Sequence, residues 1–286
     1  NFFKINSLFF MKEYNLFNKI FSAINQLRYY VYEKILLSIK RKYLKNILLK
    51  KYPKIDIILP TYNRSEMLLK RSIPSVLNQT YKNFRLIIIG DKCTDNTEEI
   101  IKNFNDKRIY FENLKERKKR YPETPQNHWF AGPVFAINRA LEMIRGDWIA
   151  RIDDDDIWTD DHLEKLLNHA LKTNVEFVSS SYTTIVNNQK TLKDFSLENP
   201  AIGGVQTWLY ASYLKFFKSN INCWRKSFNR VNDLDLQDRM YKTGVRMAYL
   251  PVSTCIIKPR PNETEIGLKA YMNNKEAFLK KYKFND

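Results

Sequence analysis

Four consecutive aspartates, Asp153-Asp154-Asp155-Asp156, follow the apolar stretch Trp148 to Ile152. Adjacent carboxylates repel at short range and raise one another's pKa values, and a divalent cation removes that conflict. Carboxylate oxygens suit Mg²⁺ or Mn²⁺, which typically take one or two protein carboxylates together with phosphate oxygens and water. The same run could instead be a solvated acidic loop ahead of a helix, because Thr159, Asp160 and Asp161 precede the apolar series Leu163, Leu166 and Leu167. His128, His162, His169, Cys93, Cys223 and Cys255 have no zinc-type spacing, so oxygen ligands are expected for any bound metal. The cysteines are scattered and odd in number, which suits no disulfide scaffold and makes the reducing cytosol the expected compartment.

Such carboxylates need elements to hold them. Ile55-Asp56-Ile57-Ile58-Leu59 is a short β-branched run stopped by Pro60 and reads as a buried strand. After Thr61-Tyr62-Asn63-Arg64, Ser65 is a candidate N-cap for a helix carrying Leu68, Leu69, Ser72, Ile73, Val76 and Leu77 on one face, with a kink expected at Pro74. Leu86 to Ile89 is a second strand ending at Gly90-Asp91, Thr94 to Phe104 a helix, and Arg108 to Phe111 a third strand. Pro133 starts a helix that ends by Gly146, and Trp148 to Ile152 is a fourth strand. Strands alternating with helices specify an α/β fold, a Rossmann-like, mainly parallel sheet with helices on both faces. Such sheets bind ligands at the carboxyl ends of their strands, and here those ends carry Pro60 to Asn63, Asp91 and the aspartate run.

Of 286 residues, 48 are Lys or Arg and 31 Asp or Glu, a formal charge of +17. With 44% hydrophobic residues the chain can bury a core, which excludes a wholly disordered protein, and no apolar run reaches the length a membrane-spanning helix needs. Residues 1–52 hold eleven Lys or Arg against Glu13 and Glu33. Within this arm Ile20, Ile24, Leu27, Val31 and Ile35 fall at helical spacing among Lys19, Arg28 and Lys34. A basic amphipathic helix of this kind either lies on an anionic membrane surface, on the inner face of the membrane, or packs on the body with its lysines in water. The expected organisation is a helical arm over 1–52, a main domain over 53–260 divided near 158/159, and a C-terminal helix within 261–286.

In order and spacing, Ile57-Ile58-Leu59-Pro60-Thr61-Tyr62-Asn63-Arg64, Ser75 to Tyr81, Asp91 with Asp95-Asn96-Thr97, and Gly146-Asp147-Trp148-Ile149 leading into Ile152 to Trp158 resemble family-2 glycosyltransferases. The resemblance covers residues 55 to about 170 and is weaker beyond 180. It implies a GT-A fold, a nucleotide-sugar donor, a Mn²⁺ or Mg²⁺ cofactor, a saccharide or lipid-linked acceptor, and a role in surface polysaccharide or glycolipid synthesis.

The resemblance also implies roles for particular residues. Pro60, Thr61 and Tyr62, with Asn63, lie against the nucleotide, and Asp91 accepts a hydrogen bond from its base. Asp153 and Asp155 match the DxD motif, Asp155 as metal ligand, with Asp154 or Asp153 toward the ribose or the metal's water shell. Arg117 or Arg120 is a candidate partner of the diphosphate. Gly90-Asp91-Lys92-Cys93 departs from the usual two acidic residues followed by Gly-Ser, which leaves the base open. The family's catalytic base finds its match at Asp233, with Asp235 as runner-up, although Asn232 replaces the usual Glu and Asp233 could simply cap the helix 234–242. His128, Trp129 and Trp224 are candidates for the acceptor site, since aromatic rings stack on sugars, though core packing is the commoner fate of tryptophan.

Two other classes are weighed. A nucleotidylyltransferase would carry a Gly-rich loop after the first strand, and Thr61 to Met67 has no glycine. A polybasic nucleic-acid-binding protein accounts for the charge but not for carboxylates at the strand ends, so no nucleic-acid partner is expected.

Overall fold

The computed structural model describes residues 16–116, 121–122, 124–194, 204–225 and 232–273, and the statements below concern these. The chain opens with the long helix α1 (Leu16–Lys40) and the short α2 (Tyr43–Leu48). Strand β1 (Ile55–Thr61) is buried along its whole length, as its run of Ile and Leu, interrupted by Asp56, requires of a strand covered on both faces. The helical stretch 65–77 that follows changes character midway: a π-turn over Leu68–Ser72 separates α-helical turns Ser65–Met67 and Ile73–Leu77. Pro74 has no N–H to donate, so the ladder is rearranged just ahead of it. Ser65 is the first helical residue rather than the cap, and its N–H is received by Asp95 at 3.2 Å.

Then come β2 (Phe84–Gly90), α3 (Thr97–Asn103), β3 (Ile109–Asn113), α4 (Pro125–Ala131), α5 (Val134–Glu142) and β4 (Trp148–Arg151). The second half holds β5 (Ile157–Trp158), α6 (His162–Thr173), β6 (Phe177–Val186), β7 (Gln189–Lys193), β8 (Trp208–Ala211), α7 (Asn232–Thr243), β9 (Met247–Ile257) and α8 (Leu268–Asn273). Helix α4 carries His128 and Trp129, and Thr124 caps it by accepting from Asn127 N–H. Helix α7 ends at Gly244, whose φ of +95° only glycine adopts readily.

Among the described residues nine strands form one sheet in the order β3-β2-β1-β4-β8-β6-β9-β5, with β7 added on β6. It is mixed. β3, β2, β1 and β4 are mutually parallel, as the strand–helix alternation requires, whereas β8, β7 and β5 join antiparallel and β9 lies parallel to β6. One apolar core runs through both halves, so the expected division near 158/159 is not a boundary in packing. Leu37, Leu44 and Ile47 belong to that core, so the basic arm is part of the body over its second half. The apolar series Ile20, Ile24, Leu27, Val31 and Ile35 does not pack there; all five are exposed. No helix among the described residues is long and apolar enough to cross a membrane. The expected tail helix is described only as α8, and the rest of it, 274–286, lies outside the described residues.

One buried charge ties the parallel strands together. Asp56, in the middle of β1's first half, is fully buried, and its carboxylate accepts from Arg85 Nε and Nη2 on β2 (3.1 and 2.9 Å) and from the N–H groups of Arg145 and Gly146 before β4 (2.7 Å each). Removing one side of such a buried pair leaves the other uncompensated. Asp56→Ala is therefore expected to lower unfolding free energy by about 3–5 kcal/mol in urea denaturation, and a loss below about 1 kcal/mol would contradict this role.

Candidate active site

The parallel strands end in step. Thr61 lies beside Gly90 across β1 and β2, and Ile58 beside Arg151 across β1 and β4, so Tyr62, Asp91 and Asp153 emerge at one edge of the sheet. They line a cleft of about 350 Å³ with Pro60, Thr61, His128, Trp129, Asp154, Asp155 and Asp233. Two loops are clamped below it. Asn63, itself at positive φ, accepts from Thr94 N–H at 2.7 Å, while Asn113 holds Cys93 by a reciprocal pair of bonds, both 2.8 Å. A Cβ at Gly90 would stand 2.6 Å from Asn113 Oδ1, which is why the strand ends on glycine. Burial pushes the Cys93 thiol up to about 11, so it is a packing residue.

The aspartate turn is pinned at both ends. Ile152 N–H donates to the Ile58 carbonyl at 3.1 Å, and β5 pairs with β9 so that Trp158 faces Cys255. Its side chains alternate: those of Asp153 and Asp155 are 36% and 23% exposed, whereas Asp154 and Asp156 are buried. Three arginines from separate parts of the chain meet them. Arg64 lies 2.7 Å from Asp154 and 3.3 Å from Asp155, Arg260 lies 3.4 Å from Asp155, and Arg151 lies 2.9 Å from Asp153. Thr61 Oγ1 also donates to Asp154 at 2.8 Å. Burial pushes the Asp154 carboxyl up while Arg64 opposes it; at Asp156 burial and the neighbouring aspartates push together, opposed by Arg151.

Asp233 stands at the start of α7, where Leu234 N–H donates to it at 3.0 Å. Burial raises its pKa, Arg151 opposes and Asp153 adds, so the two acidic groups share one electrostatic environment across the cleft. The other candidates fall elsewhere. Asp235 is buried off the cleft and accepts from Arg239 Nε at 2.9 Å. Trp224 is packed in a second small core with Tyr121, Phe130 and Val134, the guanidinium of Arg225 lying 4.1 Å over its ring. Arg117 and Arg120 lie outside the described residues. Asn63 supports the loop without lining the cleft.

No role was assigned from the sequence to Arg151, Tyr182 or Arg260, all of which line the cleft. Arg151 was visible as a charge closing an apolar strand two residues before Asp153. Arg260 was not, because β9 delivers it from more than a hundred residues away in sequence.

Among the described residues no three Asp, Glu, His or Cys side chains converge as a protein-only metal cage. An octahedral cation needs only one or two protein carboxylates when phosphate oxygens complete its shell. Asp155 and Asp153, whose carboxylates reach the cleft, fit that donor set.

The family model for glycosyl transferase family 2 matches residues 56–232, more than half of the chain. The chain belongs to glycosyl transferase family 2. Similar curated proteins include an Escherichia coli protein named UDP-Glc:alpha-D-GlcNAc-diphosphoundecaprenol beta-1,3-glucosyltransferase WfgD, 36% identical over 134 residues, 47% of each chain. Another is the Campylobacter jejuni GalNAc(5)-diNAcBac-PP-undecaprenol beta-1,3-glucosyltransferase, 29% identical over 53% of this chain and 43% of that one. The matches span about half the length of these relatives. Staphylococcus aureus TarS, solved with UDP-GlcNAc, superposes with a TM-score of 0.58 at 17% identity, covering 74% of this chain and 60% of that one. The mannosyltransferase PcManGT from Pyrobaculum calidifontis, solved with GDP-Man and Mn²⁺, gives 0.56 at 14% identity over 85% of this chain and 69% of that one. The fold of this family-2 member is GT-A, and its strand-end cleft is lined by Asp91 and Asp153 to Asp156 of the matched segment.

In Arg64→Met the buried Asp154 carboxylate loses its main counter-charge, so its folded-state pKa rises further above the unfolded value. The folded state then keeps a proton that the unfolded state releases, and the deficit is full at alkaline pH and closes as pH falls through the folded pKa. Urea unfolding should show the variant about 3 kcal/mol less stable than the parent at alkaline pH, with the deficit shrinking as pH falls. A deficit independent of pH would contradict the pairing.

Proposed function

We propose that this family-2 glycosyltransferase moves a sugar from a nucleoside-diphosphate sugar to an acceptor hydroxyl with inversion at the anomeric carbon. One observation carries the reading: a single cleft is lined both by Tyr62, Asp91 and Asp153 to Asp155 and by Asp233. The nucleoside would lie between Tyr62 and Asp91, which accepts from the base. The diphosphate would face Asp155 and Asp153, with Arg64, Arg260 and Lys258 lining the same cleft as cationic partners. Asp155 and Asp153 would hold a divalent Mn²⁺ or Mg²⁺, which when bound neutralises charge on the departing diphosphate.

Asp233 accepts the proton of the acceptor hydroxyl as its oxygen bonds to the anomeric carbon and the bond to the diphosphate oxygen breaks, that oxygen taking the electron pair. Attack from the face opposite the leaving group inverts the configuration. Trp129, on α4 at the cleft wall, would meet the acceptor sugar, while His128 lines the same cleft as a buried side chain hydrogen-bonded to Tyr121 at 3.2 Å. The relatives named for undecaprenol-linked acceptors support a lipid-linked saccharide and a role in surface polysaccharide or glycolipid synthesis.

Calorimetric titration with a panel of nucleoside diphosphates and Mn²⁺ should give tight, metal-dependent binding of one of them, weakened strongly by Asp155→Ala. Equal affinity with and without metal would count against the acidic turn's role. Asp233→Asn should leave that binding nearly intact yet lower turnover of the cognate nucleotide sugar by about 10²–10⁴-fold.

Because burial raises the Asp233 pKa, kcat/KM should fall as pH drops through a value above the ordinary carboxylate range of about 4. A rate flat down to about pH 4 would exclude Asp233 as the base.

A further inference from the structure

Helix α1 holds to the body by one face only. Asn25 donates to Asn220 at 3.4 Å, the Arg239 guanidinium lies 4.5 Å over the Tyr29 ring, Glu33 pairs with Arg239, and Leu37 enters the core. At 3.6 residues per turn these positions share an arc of about 120°. Ile20, Ile24, Leu27, Val31, Ile35 and Ile39 share another of about 120°, centred about 160° away. All six are exposed, from 49% at Val31 to 65% at Ile24, along a stripe about 30 Å long. A contiguous apolar surface of that kind on a monomer marks a contact site rather than ordinary scatter.

We infer that this stripe docks α1 flat on an anionic lipid bilayer. Arg28 sits just inside one edge of the apolar arc and Lys34 just outside the other, both exposed, where their heads would reach phosphates while the aliphatic residues enter the acyl boundary. Beyond the helix end, Arg41, Lys42, Lys45 and Arg246 line an open hollow with Leu48 and Leu49. The residues 1–52 hold eleven Lys or Arg against two Glu, within a chain of net charge +17. A second copy is the poorer occupant. A two-fold contact would set the same cationic edges against each other, whereas anionic headgroups complement them. Docking does not depend on the transfer chemistry, although Glu33 and Arg239 join α1 directly to the helix that bears Asp233.

The full 286-residue chain should co-sediment with vesicles of equimolar phosphatidylglycerol and phosphatidylcholine, and at least tenfold more weakly with phosphatidylcholine alone. Leu27→Glu combined with Val31→Glu, and separately Arg28→Glu with Lys34→Glu, should each lower the partition coefficient at least tenfold. Both pairs should keep the parent's circular dichroism and thermal midpoint, since all four side chains are exposed. Absence of binding by the parent, or undiminished binding by the Leu27/Val31 pair, would overturn the inference. So would a dimer in sedimentation equilibrium that the Leu27/Val31 pair dissolves, because the stripe would then be an interface between copies.

Discussion

Four carboxylates on consecutive residues cannot sit at the end of a buried strand without positive charge close by, and the fold is arranged to bring it. Arg64 comes from the loop after β1, Arg151 from the last position of β4, and Arg260 from just beyond β9. Strand order puts these three places side by side. β1 and β4 are parallel neighbours, and β9 reaches the turn by pairing with β5 immediately after it. The arrangement is therefore a shared electrostatic site between distant segments, in which all four aspartates line the cleft, Asp154 and Asp156 buried and Asp153 and Asp155 more exposed. On the proposed reading, a nucleoside diphosphate brings further negative charge into this site, and guanidinium groups that now face carboxylates become its partners.

A second set of buried charges lies behind the first. Arg239 of α7 is buried between Glu33 of α1 and Asp235 of its own helix, and Glu176 is fully buried against Arg41 and Tyr213. Breaking a buried pair costs more than its formation gains, so such pairs fix one arrangement of elements rather than adding much stability. Their effect is to hold α1 and the chain after it against the half that carries Asp233. The amino-terminal helix thus braces the helix that carries Asp233 on one face while its other face stays exposed.

Much of the parallel half of the sheet was legible in the sequence because its signals are local. Ile55 to Leu59, Leu86 to Ile89 and Trp148 to Ile152 are short apolar runs with sharp stops, and Tyr62, Asp91 and Asp153 follow directly from those stops. Other residues had alternatives that only tertiary packing decides. Trp224, open between sugar platform and core in the sequence, fills a core with Phe130, and Asp235 is held by Arg239 one helical turn on. The apolar series of α1 has the spacing of a buried face, yet it is exposed, and Tyr29, Glu33 and Leu37 make the packing contacts instead. Periodicity shows that a helix is amphipathic but does not say which arc meets the protein. Arg260 and Asn113 carry no motif at all and become meaningful only when strands β9 and β3 are set beside their neighbours.

Hydrogen–deuterium exchange of the full chain, with and without a saturating nucleoside diphosphate and Mn²⁺, tests the shared site most directly. Slowed exchange is expected together in the loop after β1, in residues 91–93, in the turn 152–156 and in the segment 258–267. Protection confined to one of these, or lying away from the strand ends, would contradict the account.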